Sequence, residues 1–434
     1  MNISIKSLGM LVVGVLILGS SSAQGESLQD EINYILQTNP QVRAVSWNRM
    51  ARDEEVRQAK SGYFPTIDIS YGGGIEDQQE PFDEETHPKS TVLSLRQNVF
   101  HFGSTKSEVE RQKARVRSAA YRLQGTSENV ALGASRVFLN VLRHLELYDL
   151  AEENLTNHER IYDQIKLRSV SGVDSKADLD QVMGRLALAK SNIVVTKANI
   201  VDARTDYFAV IGRMPENLIK PQPVDSAIPV SMAEAQQLAL DKYPILKSAR
   251  ADLEAREAQH DVARRTTYPS FDVAVDYKWE DEVDYPDRQE QLVATGIVSF
   301  NIFRGWWDRG RITETQHLIC EAWELFNNTK RQTVQSIRLS WEADQSAQDQ
   351  ITHLEEYVKS TGATAEAFAK QWSIGRRTMF DVLDIQAEYL NAKADLVDAR
   401  YDQMIAQYRI LAGMGELVHT LGLEWPEESR VETE

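Results

Sequence analysis

The chain has 434 residues, a net charge of −17 and a single cysteine, Cys320. The acidic balance argues against a nucleic-acid binder, and a lone cysteine cannot form an internal disulfide. Cys320 falls in a helical pattern, where a small core residue is expected rather than a reactive thiol.

Residues 1–23 read as a secretory signal. Lys6 supplies the positive start, Leu8 to Leu18 a short apolar run, and Ser21-Ser22-Ala23 a small-residue cleavage site, with cleavage after Gly25 as a close alternative. The run is too short to span a bilayer. No Cys follows it for lipidation, and no later stretch approaches the length of a membrane helix.

Residues 24–230 form a first unit. A helix is predicted over 28–61, interrupted where Pro40 breaks the backbone ladder. Two strands follow, 66–76 and 90–100, separated by an acidic loop. From 104 to 169 there is no proline, and Val109, Val116, Leu123, Val130 and Val137 recur every seventh residue. Ala120, Ser127, Ala134 and Val141 lie four positions on, which completes a coiled-coil pattern. About 66 residues at a rise of 1.5 Å make a rod of roughly 100 Å. The return helix, 175–212, covers little more than half of it, and the earlier helix from 41 to 61 supplies the missing length. Each long helix is thus expected to pair with two short ones stacked end to end. Pro215, Pro221, Pro223 and Pro229 mark an extended linker.

Residues 231–414 repeat this layout. Strands are predicted at 270–280 and 291–303, a long helix at 305–372 and a return helix at 378–413. Ile312, Ile319 and Phe326, with Trp323, repeat the long helix's spacing. The landmarks recur in one order: Asn39-Pro40 returns as Tyr243-Pro244, and Asn98-Val99-Phe100 as Asn301-Ile302-Phe303, about 203 to 204 residues later. The chain is therefore an internal duplication. Residues 415–434 form a short acidic tail that is expected to be mobile.

The strands alternate. Phe271, Val273, Val275, Tyr277 and Trp279 share one face, opposite Asp272, Ala274, Asp276 and Lys278. That pattern fits a half-buried soluble sheet and equally an outer-membrane barrel. Two strands per unit cannot close a barrel, since the smallest natural ones have about eight. In a membrane the chain would have to oligomerise, two copies giving eight strands and three giving twelve.

Trp372-Ser-Ile-Gly375-Arg-Arg-Thr-Met-Phe-Asp381-Val-Leu-Asp384, followed by Tyr389-Leu-Asn-Ala-Lys-Ala, resembles the second periplasmic turn of the TolC-like outer-membrane efflux and secretion channels. Arg168 to Asp178 is a weaker first counterpart. Gln97-Asn-Val-Phe100 and Phe300-Asn-Ile-Phe303 resemble the family's strand-to-helix junctions. The resemblance spans Leu28 to about Leu421. It implies a mixed α and β fold, with a long coiled-coil α-helical barrel continuous with a transmembrane β-barrel closed by trimerisation. It further implies a homotrimer in outer-membrane lipid, a periplasmic adaptor of the membrane-fusion type and an inner-membrane ABC or proton-driven transporter.

The turns carry the candidate site. Gly172 and Gly375 follow long helices, where a left-handed residue belongs. Ser175 to Asp178 and Thr378 to Asp381 both read as capping boxes. Capping alone is one account of Asp178 and Asp381, and a solvated helix face is one account of Asp384. Asp384 lies one turn further on the face of Asp381, so a trimer would set six carboxylates around the narrow end of a pore. Such a ring favours cations. By resemblance, Trp372 and Arg377 hold the tip closed, with Asp178 as acceptor, and the turns at Gly172, Val173, Gly375 and Arg376 contact the adaptor. Trp372 stands where the family usually has Tyr, so it can only donate, and Ala177 lacks the polar side chain often found beside the acceptor.

No nucleotide loop, nucleophile elbow or metal-ligand spacing is present in the sequence, so neither an enzyme nor a cofactor is expected. Type I protein secretion is the preferred function, multidrug efflux the alternative, and a soluble periplasmic coiled-coil adaptor a third reading.

Overall fold

The computed structural model describes residues 25–78, 84–171, 175–281 and 288–431. The signal segment, Gly172, Val173 and most of the two acidic loops lie outside the described residues. The first unit runs α1 (Leu28–Thr38), α2 (Pro40–Ser61), β1 (Thr66–Gly73), β2 (Glu76–Gln78), β3 (Glu84–Thr86), β4 (Lys89–Phe100), α3 (Ser104–Val170) and α4 (Lys176–Ile211). The second runs α5 (Met232–Lys242), α6 (Pro244–Arg265), β5 (Ser270–Asp281), β6 (Gln289–Ser299), α7 (Trp307–Ser373) and α8 (Met379–Met414), followed by α9 (Leu417–Thr420). Equivalent helices match in length: 11, 22, 67 and 36 residues in both units.

Local chemistry sets the boundaries. Asn39 is extended, its side chain accepts from the Gln41 amide, and Pro40 opens α2 at the position where its missing N–H costs nothing. In the second unit Tyr243 and Pro244 make the same break without a side-chain cap. Two strand expectations need correction. The first strand ends at Gly73, and the acidic segment carries a second hairpin in which Glu76–Gln78 pairs with Glu84–Thr86. The last strand ends at Ser299 rather than reaching 303.

The long strands form one antiparallel sheet in the order β1-β4-β5-β6. Its register aligns Ile69, Leu93, Tyr277 and Leu292 in one row, and Asp68, Ser94, Asp276 and Val293 in the adjacent row. Because successive side chains alternate, these rows lie on opposite faces. On the polar face the Ser94 hydroxyl donates to Asp276 at 2.6 Å and the Asn98 amide to Asp272 at 2.8 Å. The apolar face is open, with Ile69 74% and Leu292 66% exposed. Strands β1 and β6 each have one unpaired edge. No described helix is long and apolar enough to cross a membrane.

The helices make a second layer. Helix α3 runs through its middle: α2 and α6 flank one half, α4 and α8 the other, and α7 packs on α6 and α8. The core lies at mid-length, where Phe138, Tyr207, Tyr401, Tyr408 and Ile337 are buried together. The heptad face of α3 is covered, and Leu123, Ala120, Ser127 and Ala134 are inaccessible. The equivalent face of α7 is not. Ile312, Ile319 and Phe326 are half-buried and Trp323 is exposed. Cys320 is exposed rather than a core residue, because α7 sits at the edge of the layer.

The C-terminal segment is also not a loose tail over its described length. Leu417 and Val418 are buried, the Gln124 side chain donates to the Ser429 carbonyl at 2.9 Å, and Trp425 donates to Glu128. The end of the second unit is thereby fastened to the long helix of the first.

Candidate functional site: the paired hairpin tips

Each tip is a helix end, a tight turn and a helix start. At the end of α7, Gly375 adopts φ 73°. Its amide donates to the Trp372 carbonyl and the Arg376 amide to the Gln371 carbonyl, both at 2.9 Å. This pairing satisfies the last carbonyls of the helix, and its left-handed residue suits glycine. At the start of α8 the Thr378 hydroxyl caps the Asp381 amide, and the Asp381 carboxylate accepts from the Thr378 amide at 3.2 Å. Ser175 and Asp178 form the same reciprocal cap at the start of α4. The Thr378 side-chain and backbone hydrogen bonds, aided by Arg377, hold the Asp381 carboxyl below the ordinary aspartate range.

Arg377 is held by its own hairpin. Its guanidinium lies 4.1 Å over the Phe368 ring, Nε donates to the Gln371 amide oxygen at 3.2 Å, and Nη1 stands 3.7 Å from Asp381. Among the described residues no ion pair or hydrogen bond joins Arg377 to Asp178 within the chain, and Asp178 accepts from Ser175.

Trp372 joins the two units. It is half-buried against Ile161, Ile165, Val182, Met379, Val382 and Leu383, drawn from α3, α4 and α8. The Arg168 guanidinium lies 5.1 Å over its ring, an arrangement in which the electron-rich face attracts the cation. The ring therefore acts here through packing and its π-face.

Asp384 has a partner in the other unit. Arg185 of α4 donates through Nη2 to Asp384 Oδ1 at 2.7 Å. Further along the same seam Lys393 meets Glu153 at 3.1 Å, and Arg143 meets Asp402 at 3.1 Å. From the tip upward the first unit contributes plus, minus, plus, and α8 contributes minus, plus, minus. Sequence reasoning missed Arg168 and Arg185. Arg185 carried a signal: it lies seven residues after Asp178, about two turns along the same face of α4. His158 lies buried nearby, and burial together with the Arg185 charge holds its imidazole pKa below the usual value.

The sequence profile described as outer membrane efflux protein matches residues 32–213 and 235–416, so each match covers one unit of the duplication. Outer membrane protein TolC of Escherichia coli is 23% identical over 95% of this chain and 87% of its own length. Proteases secretion protein PrtF of Dickeya chrysanthemi is 18% identical, covering 90% of this chain and 88% of its own. Among solved structures, the Campylobacter jejuni CmeC outer membrane channel superposes with a TM-score of 0.79 at 15% identity, covering 96% of this chain and 94% of that one.

Proposed function

This chain belongs to the outer membrane efflux protein family, and on that premise we propose that it forms a homotrimeric exit duct for type I protein secretion. Its place is the Gram-negative outer membrane, from which it extends into the periplasm. The observation that carries the duct is the sheet. Its four strands are polar on one face and apolar on the other, have two free edges, and stand on helices of 67 residues. Lipid does not tolerate unpaired strand edges, so β6 of one copy must find β1 of the next. Three copies give twelve strands with Asp68 and Asp276 facing the lumen.

The lateral faces agree with this assembly. Val194, Val201 and Phe208 recur every seventh residue on α4 and are exposed, and Trp323, Leu325 and Leu339 are exposed on α7. Helix α7 forms one margin of the helical layer and α4 the other margin in the half nearer the tips, and neighbouring copies would meet along these margins. The tips would then gather at the periplasmic end. Trp372 and Arg377 would hold them closed, Asp381 and Asp384 would line the entrance, and Gly375 and Arg376 would meet a periplasmic adaptor. Gly172 and Val173, assigned to the same contact, lie outside the described residues.

The name of the protease-secretion relative, aligned along nearly the whole chain, favours protein cargo driven by an inner-membrane ABC transporter. The family description favours small-molecule efflux as the second reading. Expression in a strain lacking its own channels separates them. Restored secretion of a type I substrate without restored drug tolerance supports protein export, and the converse result assigns efflux.

A further inference from the structure

Arg185 and Asp384 stand 199 positions apart in sequence and on different units of the duplication, yet they make a direct contact at 2.7 Å. The two ends of the pair differ in setting. The Asp384 side chain is 65% exposed, whereas that of Arg185 is 34% exposed and rises from a packed helix face. Behind Arg185 lies His158, a buried ring whose pKa is depressed by burial and by the arginine itself. An imidazole has no anionic form near neutral pH, so His158 does not compete with Asp384 for Arg185. Asp381, one turn from Asp384, has its own cation in Arg377 at 3.7 Å. The two α8 carboxylates, Asp381 and Asp384, thus each come with an arginine from the chain, and the partner of Asp384 comes from the opposite hairpin.

We propose that Arg185 is a specificity-determining residue of the pore entrance: it is an internal counter-ion that competes with incoming multivalent cations for Asp384. The inference rests on the reading of Asp384 as an entrance residue. Arg185 holds Oδ1 of Asp384, so a cation at that carboxylate meets a neighbouring positive charge, and one that takes Oδ1 displaces Arg185 and removes a link between the two hairpins. Reciprocally, loosening that link makes Asp384 a better cation ligand, because coupling between two events acts equally in both directions. Arg185 does not bind the cation. It sets how much of the Asp384 charge is available.

The test is block of single-channel current in planar bilayers by an inert trivalent hexaammine complex added from the periplasmic side. Asp384→Asn is expected to weaken block. Arg185→Gln is expected to strengthen it, lowering the half-blocking concentration about fivefold at low salt, with the gain shrinking as ionic strength rises. Arg185→Lys keeps the charge and should behave like the parent, which guards against a merely disturbed fold. The double variant Arg185→Gln/Asp384→Asn should match Asp384→Asn alone. If Asp384→Asn weakens block and Arg185→Gln leaves it unchanged, the competition is overturned while the entrance reading stands. If Asp384→Asn has no effect, the entrance reading fails and the inference falls with it.

Discussion

The indole N–H of Trp425 donates to the carboxylate of Glu128 at 2.8 Å, joining residues 297 positions apart. The amides of Leu417 and Val418, at the start of α9, donate to the same carboxylate at 3.0 and 3.3 Å. Glu128 is inaccessible to solvent, and the contact fixes the C-terminal segment against the middle of α3.

This site makes C-terminal docking depend on pH. Burial raises the Glu128 carboxyl pKa to about 7, against the lowering effect of its three donors. Because the folded value exceeds the unfolded one, the neutral form favours the docked state. Its contribution is full below the ordinary glutamate range and is lost as pH rises through about 7. A shift of this size corresponds to about 3 kcal/mol between the limits. Thermal melts with hydrogen-exchange mapping should show residues 417–429 less protected at pH 8 than at pH 5.5, after correction for intrinsic exchange rates. Glu128→Gln should remove that difference, and an unchanged slope in the variant would show that another group controls it.

Arg377→Ser should raise single-channel conductance. The guanidinium joins Phe368, Gln371 and Asp381 around one turn, and serine reaches none of the first two. Parental conductance in the variant would exclude a gate at this position.

Trp372→Ala should loosen the tip without unfolding the chain. The variant loses a ring packed against the cluster that contains Ile165, Val182 and Leu383, and with it the Arg168 stack. For a half-buried aromatic the cost is about 2 kcal/mol. Faster proteolysis confined to the hairpin tips is the expected outcome, with the mid-length core intact. Trp372→Phe should retain most of the resistance, since packing rather than the indole N–H holds the ring. A tip as resistant in the alanine variant as in the parent would contradict this role.

Local signals in the sequence were sufficient for much of this architecture. Heptad spacing gave the buried face of α3, Pro40 gave the break between α1 and α2, and the two capping boxes lie where Ser175 and Thr378 placed them. The contacts that were not legible connect the two units. Arg185 meets Asp384, Arg168 meets Trp372 and Glu128 meets Trp425 only because the duplication folds its copies side by side. Glu128 shares its face of α3 with Gln124 and Gly125, and both polar side chains find their partners only in the C-terminal segment. Cys320 was misplaced for a related reason. Helical periodicity reports which face of α7 is apolar, but not whether the same chain or another copy covers it.

The central claim is that three copies close one channel. It is tested most directly by native mass spectrometry of the detergent-extracted outer-membrane protein, with masses taken before and after boiling. The account predicts a complex of three chains that resists detergent and falls to single chains only on heating. A monomer, or a dimer with eight strands, would contradict it.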